Sequence, residues 1–279
     1  MNRRTFILAG AAVALAACAP SAGEAAPFQP TRFSVQVRGS GPDVILIPGL
    51  TAGREVWNAT VNAVPGYRYH LIQVSGFAGE PVRGNAEGAV VAPLADEIGR
   101  YIVARGLDRP AIVGHSMGGT LAMMVAARRP DRVGKVMVVD MLPRPAGLFG
   151  PSAETSPLAN TVRNMISSPG GRRLVASILG SFSPPDSASR RSDPDVVGRA
   201  MQDLSAMDLG GQLPRIRAPL TVVYASPDPQ AGATMQRTYG SAYAAARGAR
   251  LVRIDNSGHM IMFDQPARFH QEVRAFLSR

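Results

Sequence analysis

The sequence predicts an α/β architecture: a mostly parallel central sheet, helices on both faces, and a long insertion in the second half of the chain. Three observations lead there. Short continuous apolar runs at 44–47, 111–113, 136–139 and 220–224 read as strands buried on both sides. Longer segments between them place apolar residues at helical spacing, as Val91, Leu94, Ala95, Ile98 and Ile102 do within 88–105. The two kinds of segment alternate, which is the pattern of strand–helix–strand units.

Taken in order, residues 31–38 alternate, with Phe33, Val35 and Val37 on one side of a half-buried strand. Gly39-Ser40-Gly41-Pro42-Asp43 is a turn leading into the 44–47 strand. Residues 69–74 read as a strand, 88–105 as a helix, 111–113 as a buried strand, 117–128 as a helix rich in Ala, Met and Leu, and 136–139 as the next strand. The rhythm then breaks. Between 141 and 214 the chain is rich in Pro, Gly and Ser, with short helical stretches at 172–179 and 196–207. That is too long for a plain loop and predicts a mobile or helical cap over the site. The rhythm returns with a strand at 220–224, a helix near 234–246, a strand at 250–254 and a last helix at 266–277.

The N-terminus has a different character. Arg3 and Arg4 precede an apolar run that ends in small residues at Ala17, the layout of an export signal and too short to span a membrane. Arg3-Arg4-Thr5-Phe6-Ile7 resembles the twin-arginine export motif, with Asn2 where Ser or Thr is usual. Leu15-Ala16-Ala17-Cys18 resembles a bacterial lipobox, in which the cysteine is acylated and becomes the mature N-terminus. The expected organisation is therefore an export signal at 1–17, a tether at 18–30, a core at 31–140 and 215–279, and a cap at 141–214. The expected location is periplasmic, with the chain anchored to the membrane through Cys18. Cys18 is the only cysteine, so no intramolecular disulfide can form.

With 279 residues the chain can bury a large core without staples. The net charge is +10, falling to +8 without residues 1–17, and Lys135 is the only lysine. The arginines are scattered rather than gathered in a stripe with aromatics, so no nucleic-acid partner is expected.

The chemistry concentrates at Gly114-His115-Ser116-Met117-Gly118, a G-x-S-x-G pattern between a buried strand and a helix. Such a turn lifts the serine to the top of the sheet at a helix N-terminus, where developing negative charge is favoured. A serine hydroxyl needs a base, and the chain has four histidines. His70 falls inside a strand, His115 in the tight turn, and His270 mid-helix facing solvent. His259 follows the last strand at its carboxyl edge, where sites form, and is the expected base. The base needs a carboxylate to orient it. Two stand just past strand ends between Ser116 and His259. Asp228, in a loop bounded by Pro227 and Pro229, is the expected acid, and Asp140 is the alternative. Asp255 is read as structural. The oxyanion donors expected are the backbone N–H groups of Met117 and Leu50.

These features resemble the α/β-hydrolase family from about residue 31 to the end, in the subgroup of lipases, esterases and C–C hydrolases. The resemblance rests on the Gly-His-Ser-Met-Gly-Gly elbow, the Ser257-Gly258-His259 segment and an acid after the penultimate strand. It implies ester hydrolysis through an acyl-serine on a small-molecule substrate, without metal or organic cofactor. A C–C hydrolase or acyltransferase on the same residues, and a lipid-anchored binding protein without turnover, are the alternatives. Ser116 departs from the aspartate nucleophile of haloalkane dehalogenases and epoxide hydrolases. The first loop departs from the family: Pro48 precedes Gly49 where histidine is usual, which raises the question of how that loop is braced.

Overall fold

The computed structural model describes residues 28–145 and 188–279. The export signal, Cys18, most of the tether and the short helix expected at 172–179 lie outside the described residues, as does much of the expected cap. Seven strands of the described residues form one sheet: β1 (Phe33–Arg38), β2 (Asp43–Ile47), β3 (Arg68–Val74), β4 (Ala111–His115), β5 (Lys135–Val139), β6 (Leu220–Ser226) and β7 (Arg250–Asp255). Their spatial order is β1-β3-β2-β4-β5-β6-β7. Only β1 runs antiparallel to its neighbour, and all other pairs are parallel. The α/β class predicted from the apolar runs is the class observed.

The unbroken apolar run of β2 divides between two cores. Val44 and Leu46 face a cluster with Trp57, Val113 and Val139, while Ile45 and Ile47 face one with Leu94, Ile112 and Leu121. Helices α2 (Val91–Ala104), α3 (Met117–Arg128), α4 (Pro194–Ala206) and α5 (Gly232–Ala242) contribute to the second cluster. Helices α1 (Asn58–Ala63), α6 (Ile261–Asp264) and α7 (Pro266–Leu277) contribute to the first, where Trp57 packs on Phe269. The edge strand β1 buries Phe33, packs Val35 partly against the core and leaves Val37 exposed, so cover of the alternating face fades along the strand.

Helix α3 is buried almost all round, which accounts for its Ala, Met and Leu content without a polar face. Part of its cover is the 3₁₀ turn Gly210–Arg215. The described end of the insertion is fused to the core. Val196, Val197 and Ala200 of α4 are buried in the same cluster as α2. Helix α2 begins after Val90, whose side chain cannot cap it. Asp203 of α4 does so instead, its Oδ2 accepting from the Val90 N–H at 2.7 Å and the Val91 N–H at 2.9 Å. A carboxylate there satisfies two orphan donors and meets the positive end of the helix.

Asp203→Ala should therefore cost about 1–2 kcal/mol of stability, the usual range for a lost N-cap. Urea denaturation should show this as a lower midpoint with an unchanged slope.

Candidate active site

Strand β4 ends at His115 and helix α3 begins at Met117, leaving one residue to reverse direction. Ser116 makes that turn with φ 54° and ψ −123°, a conformation that a non-glycine residue holds only when its surroundings impose it. The Ser116 N–H donates to the Val139 carbonyl at 2.9 Å, prolonging the pairing of β4 with β5. The Ser116 carbonyl accepts from the Gly119 N–H at 2.7 Å and the Thr120 N–H at 3.2 Å. The flanking glycines serve close approach. A Cβ at Gly114 would overlap the Gly118 carbonyl, and one at Gly118 would overlap the Ile47 carbonyl of β2. Met117 occupies the first turn of α3, where N–H groups lack partners within the helix.

The loop after β2 presses on the same turn. A Cβ at Gly49 would lie 3.1 Å from the Ser116 Cβ and 2.9 Å from His115 Nδ1. Leu50, half-buried, follows directly, and Thr51 turns the chain with φ 63°.

His259 lies in the segment after β7. Its loop is held at several points: Ser257 N–H donates to the Ser226 carbonyl (3.1 Å), Gly258 N–H to Asp264 Oδ2 (2.8 Å), and Gln265 Nε2 to the Asn256 carbonyl (2.9 Å). His115, fully buried, reaches across from the serine turn, and its Nε2–H donates to the His259 carbonyl at 2.9 Å. The two imidazoles lie 4.7 Å apart between centroids. Burial, then the nearby His259, pushes the His115 pKa down to about 3, which keeps it neutral. Ser116 and His259 are thereby brought to the same end of the sheet.

The carboxylate that meets His259 is Asp140: its Oδ2 lies 2.7 Å from His259 Nδ1. Asp140 has φ 49°, and its N–H donates to the Val223 carbonyl at 2.8 Å. Its Oδ1 accepts from the Ala225 N–H at 2.9 Å and the Tyr239 hydroxyl at 3.0 Å. Burial alone would raise its pKa. The hydrogen bond and charge of His259, then the Ala225 and Tyr239 donors, outweigh burial and hold the carboxyl below its usual range. Tyr239 is buried and stacked on Tyr224, and burial next to Asp140 raises its own pKa, so the hydroxyl stays a donor.

Asp228, the acid expected from sequence, is not at the site, and the expectation is corrected. It is exposed, its Oδ1 accepts from the Ala231 N–H at 2.7 Å, and its carbonyl accepts from Ser226 Oγ at 2.7 Å. Its carboxylate closes the turn before α5. The difference is local. Asp140 follows the last residue of β5 directly, whereas Asp228 lies two residues past the end of β6, in a turn whose Ala231 N–H takes up its carboxylate.

The other histidines have local roles. His70 is buried between Asp43 Oδ1 and the Tyr101 hydroxyl, each at 2.8 Å. His270, expected to face solvent, is buried in the packed stripe of α7 beside Phe269. Asp255 pairs with Arg253 at 2.8 Å. Sequence reasoning missed Tyr239, for which no motif exists. Among the described residues, no cluster of three or more His, Cys, Asp or Glu is arranged to hold a metal, and no helix is long and apolar enough to cross a membrane.

Residues 44–272 match the alpha/beta hydrolase family. A pimeloyl-[acyl-carrier protein] methyl ester esterase of Vibrio atlanticus is 27% identical over 209 residues, covering 67% of this chain and 77% of that one. The enzyme of the same name from Aeromonas hydrophila is 31% identical over a shorter stretch of 111 residues, 39% of this chain and 42% of that one. Among solved structures, an esterase from Thermogutta terrifontis superposes with a TM-score of 0.67 at 22% identity, over 88% of this chain and 93% of that one.

The glycine geometry makes its own prediction. Gly118→Ala forces a methyl group into the Ile47 carbonyl, and neither backbone can yield without moving β2 or α3. The loss should exceed about 3 kcal/mol, at the upper end for overpacking. Chemical denaturation, or failure to recover folded protein, should show it.

Proposed function

Because the chain belongs to the α/β-hydrolase family, we propose that it is a serine hydrolase that cleaves a carboxylic ester through an acyl-serine intermediate. The observation that carries this reading is His259, which meets the buried Asp140 carboxylate through Nδ1 and is tied through its carbonyl to the residue before Ser116. With Nδ1 committed, Nε2 is the nitrogen left to serve the Ser116 hydroxyl.

In the proposed reaction Ser116 Oγ attacks the ester carbonyl while its proton passes to His259 Nε2. The Asp140 carboxylate fixes the tautomer and stabilises the imidazolium. The N–H groups of Met117 and Leu50 hold the tetrahedral oxygen, with the positive end of α3 adding to the field. Collapse breaks the carbon–oxygen bond, and the alcohol leaves with the proton from His259. Water then attacks the acyl-serine by the same route, giving the acid and free Ser116. Support for an ester over other acyl substrates comes from the relatives that are themselves named as methyl ester esterases. The N-terminal reading extends the proposal: an exported lipoprotein acylated at Cys18, acting at a membrane surface.

Ser116→Ala should abolish hydrolysis of short p-nitrophenyl esters, and a fluorophosphonate probe should label the unaltered protein at Ser116. Asp140→Asn should lower kcat by about 10⁴-fold, as expected when the base loses its orienting acid. Asp228→Asn should stay within about threefold, because its carboxylate acts only on a surface turn. Loss of activity in Asp228→Asn with full activity in Asp140→Asn would reverse the choice of acid. For the N-terminus, cells expressing the full chain should incorporate labelled palmitate, and Cys18→Ser should abolish it. Incorporation that persists would overturn the lipoprotein reading.

A further inference from the structure

Resting on the function just proposed, we propose that Ser192, in the inserted segment, is a positioning residue for the reaction. Its hydroxyl heads a hydrogen-bonded relay that ends at the Leu50 N–H, one of the two oxyanion donors.

The loop after β2 opens with Pro48, which carries no N–H with which to brace it. The loop is nonetheless strained, because Thr51, a β-branched residue, sits at φ 63°. A β-branched residue in that region is a true outlier and needs something to hold it. Ser192 does so. Its Oγ–H donates to the Thr51 carbonyl at 3.1 Å, across 141 positions of sequence. The same oxygen accepts from the Ala78 N–H at 2.9 Å, and Ala78 is itself left-handed, with φ 53°. One hydroxyl thus pins two strained loops to each other.

The peptide groups on either side of Leu50 and Thr51 give the contact its direction. The Thr51 carbonyl and the Ala52 N–H belong to one peptide group. The Ala52 N–H donates to the Gly49 carbonyl at 3.2 Å. The Gly49 carbonyl and the Leu50 N–H belong to the next peptide group. The chain therefore reads Ser192 hydroxyl to Thr51 carbonyl, Ala52 N–H to Gly49 carbonyl, then Leu50 N–H outward. Two peptide dipoles are aligned head to tail, so each hydrogen bond orients and polarises the next. Gly49 lies against Ser116, which places the free end of the relay beside the reacting serine.

Ser192 is held from behind as firmly as it holds the loop. Its N–H donates to the Ser189 carbonyl at 3.1 Å, and the N–H of Asp193 to the Gly76 carbonyl at 2.7 Å. The Asp193 carboxylate caps α4, accepting from the Asp195 N–H at 3.0 Å and the Val196 N–H at 2.9 Å. Val196 in turn fills the space beside Gly76, where a Cβ would lie 2.8 Å from its methyl.

The test compares Ser192→Ala, Ser192→Thr and the unaltered full chain on a p-nitrophenyl ester and an alkyl boronic acid, which forms a tetrahedral adduct with the serine. Ser192→Ala should lower kcat about tenfold with KM within about twofold. That is less than the loss of a whole oxyanion donor, because Leu50 N–H remains but is no longer held. Boronate affinity should fall by the same factor, and Ser192→Thr, which keeps the hydroxyl, should recover both. If Ser192→Ala does not fold, Ser192→Cys, a weaker donor of similar shape, should show the same paired loss in smaller measure. Unchanged kcat and boronate affinity, or a loss confined to KM, would overturn the proposal. Fluorophosphonate labelling at Ser116 with a fully active Ser192→Ala protein sinks this inference alone. Absence of Ser116 labelling in the unaltered protein sinks the proposed function and this inference together.

Discussion

Ser116 sits in a backbone conformation that residues with a Cβ avoid, and contacts on both sides of it leave no alternative. Its N–H continues the ladder of β4 onto β5, while its carbonyl is already inside the first turn of α3. Between these bonds there is no slack, because Gly114 lies against the Gly118 backbone and Gly118 against the Ile47 backbone, with no room for a Cβ at either glycine. A strained residue costs on the order of 1–3 kcal/mol, and two well-packed cores on either side of the sheet can offset that. Everything else at the site is arranged around this fixed point. The Gly49 loop packs on it, and His115 links it to the loop of His259.

The same device appears at Asp140. It too is left-handed, and its N–H too continues a ladder, here onto β6. A carboxylate buried this deeply would favour its neutral form if left alone. Instead each oxygen is committed: one to the Ala225 N–H and the Tyr239 hydroxyl, the other to His259. The division matters chemically. Two neutral donors hold one oxygen in place, and the second is left to the His259 imidazole. Tyr239 can do this steadily because stacking against Tyr224 fixes its ring, and burial keeps its proton on.

Much of this was legible in the residues, for identifiable reasons. The strands of the sheet interior declare themselves because burial on both faces demands unbroken apolar runs, as in β2 and β5. Gly114-x-Ser116-x-Gly118 declares itself because only glycine tolerates the backbone contacts at its flanks. His259 is singled out by elimination among four histidines, and it lies beside the serine turn. The carboxylate that meets it was not singled out. Asp140 and Asp228 both follow strands, and choosing between them requires the path each loop takes after its strand, which is not written in local composition. Asp228 between two prolines looked anchored, and it is, but to the turn before α5 rather than to the imidazole. His270 was misplaced for a simpler reason: polarity suggested solvent, while its position beside Phe269 on α7 put it in the packed stripe. The residues 54–63, unassigned from sequence, supply a helical turn and α1, whose buried Trp57 covers one face of the sheet.

The described end of the insertion is bound to the core. Its Pro, Gly and Ser content suggested a mobile or helical cap, and three residues of its described end make five hydrogen bonds to backbone groups of the core. Asp203 caps α2 where Val90 cannot, Asp193 N–H satisfies Gly76, and Ser192 ties Thr51 to Ala78. Each of these partners is a backbone group in a loop or at a helix start, and each would otherwise need water or a side chain that the core does not supply there. A segment that satisfies such groups cannot swing away freely, because leaving would expose all of them at once and release two left-handed residues from their anchor. Residues 192–206 therefore belong to the rigid frame of the site. Pro48 is tolerable in that frame: its ring restricts the chain at one end of the first loop, and Ser192 holds the other, so the loop is fixed from both sides without the donor that Pro48 lacks.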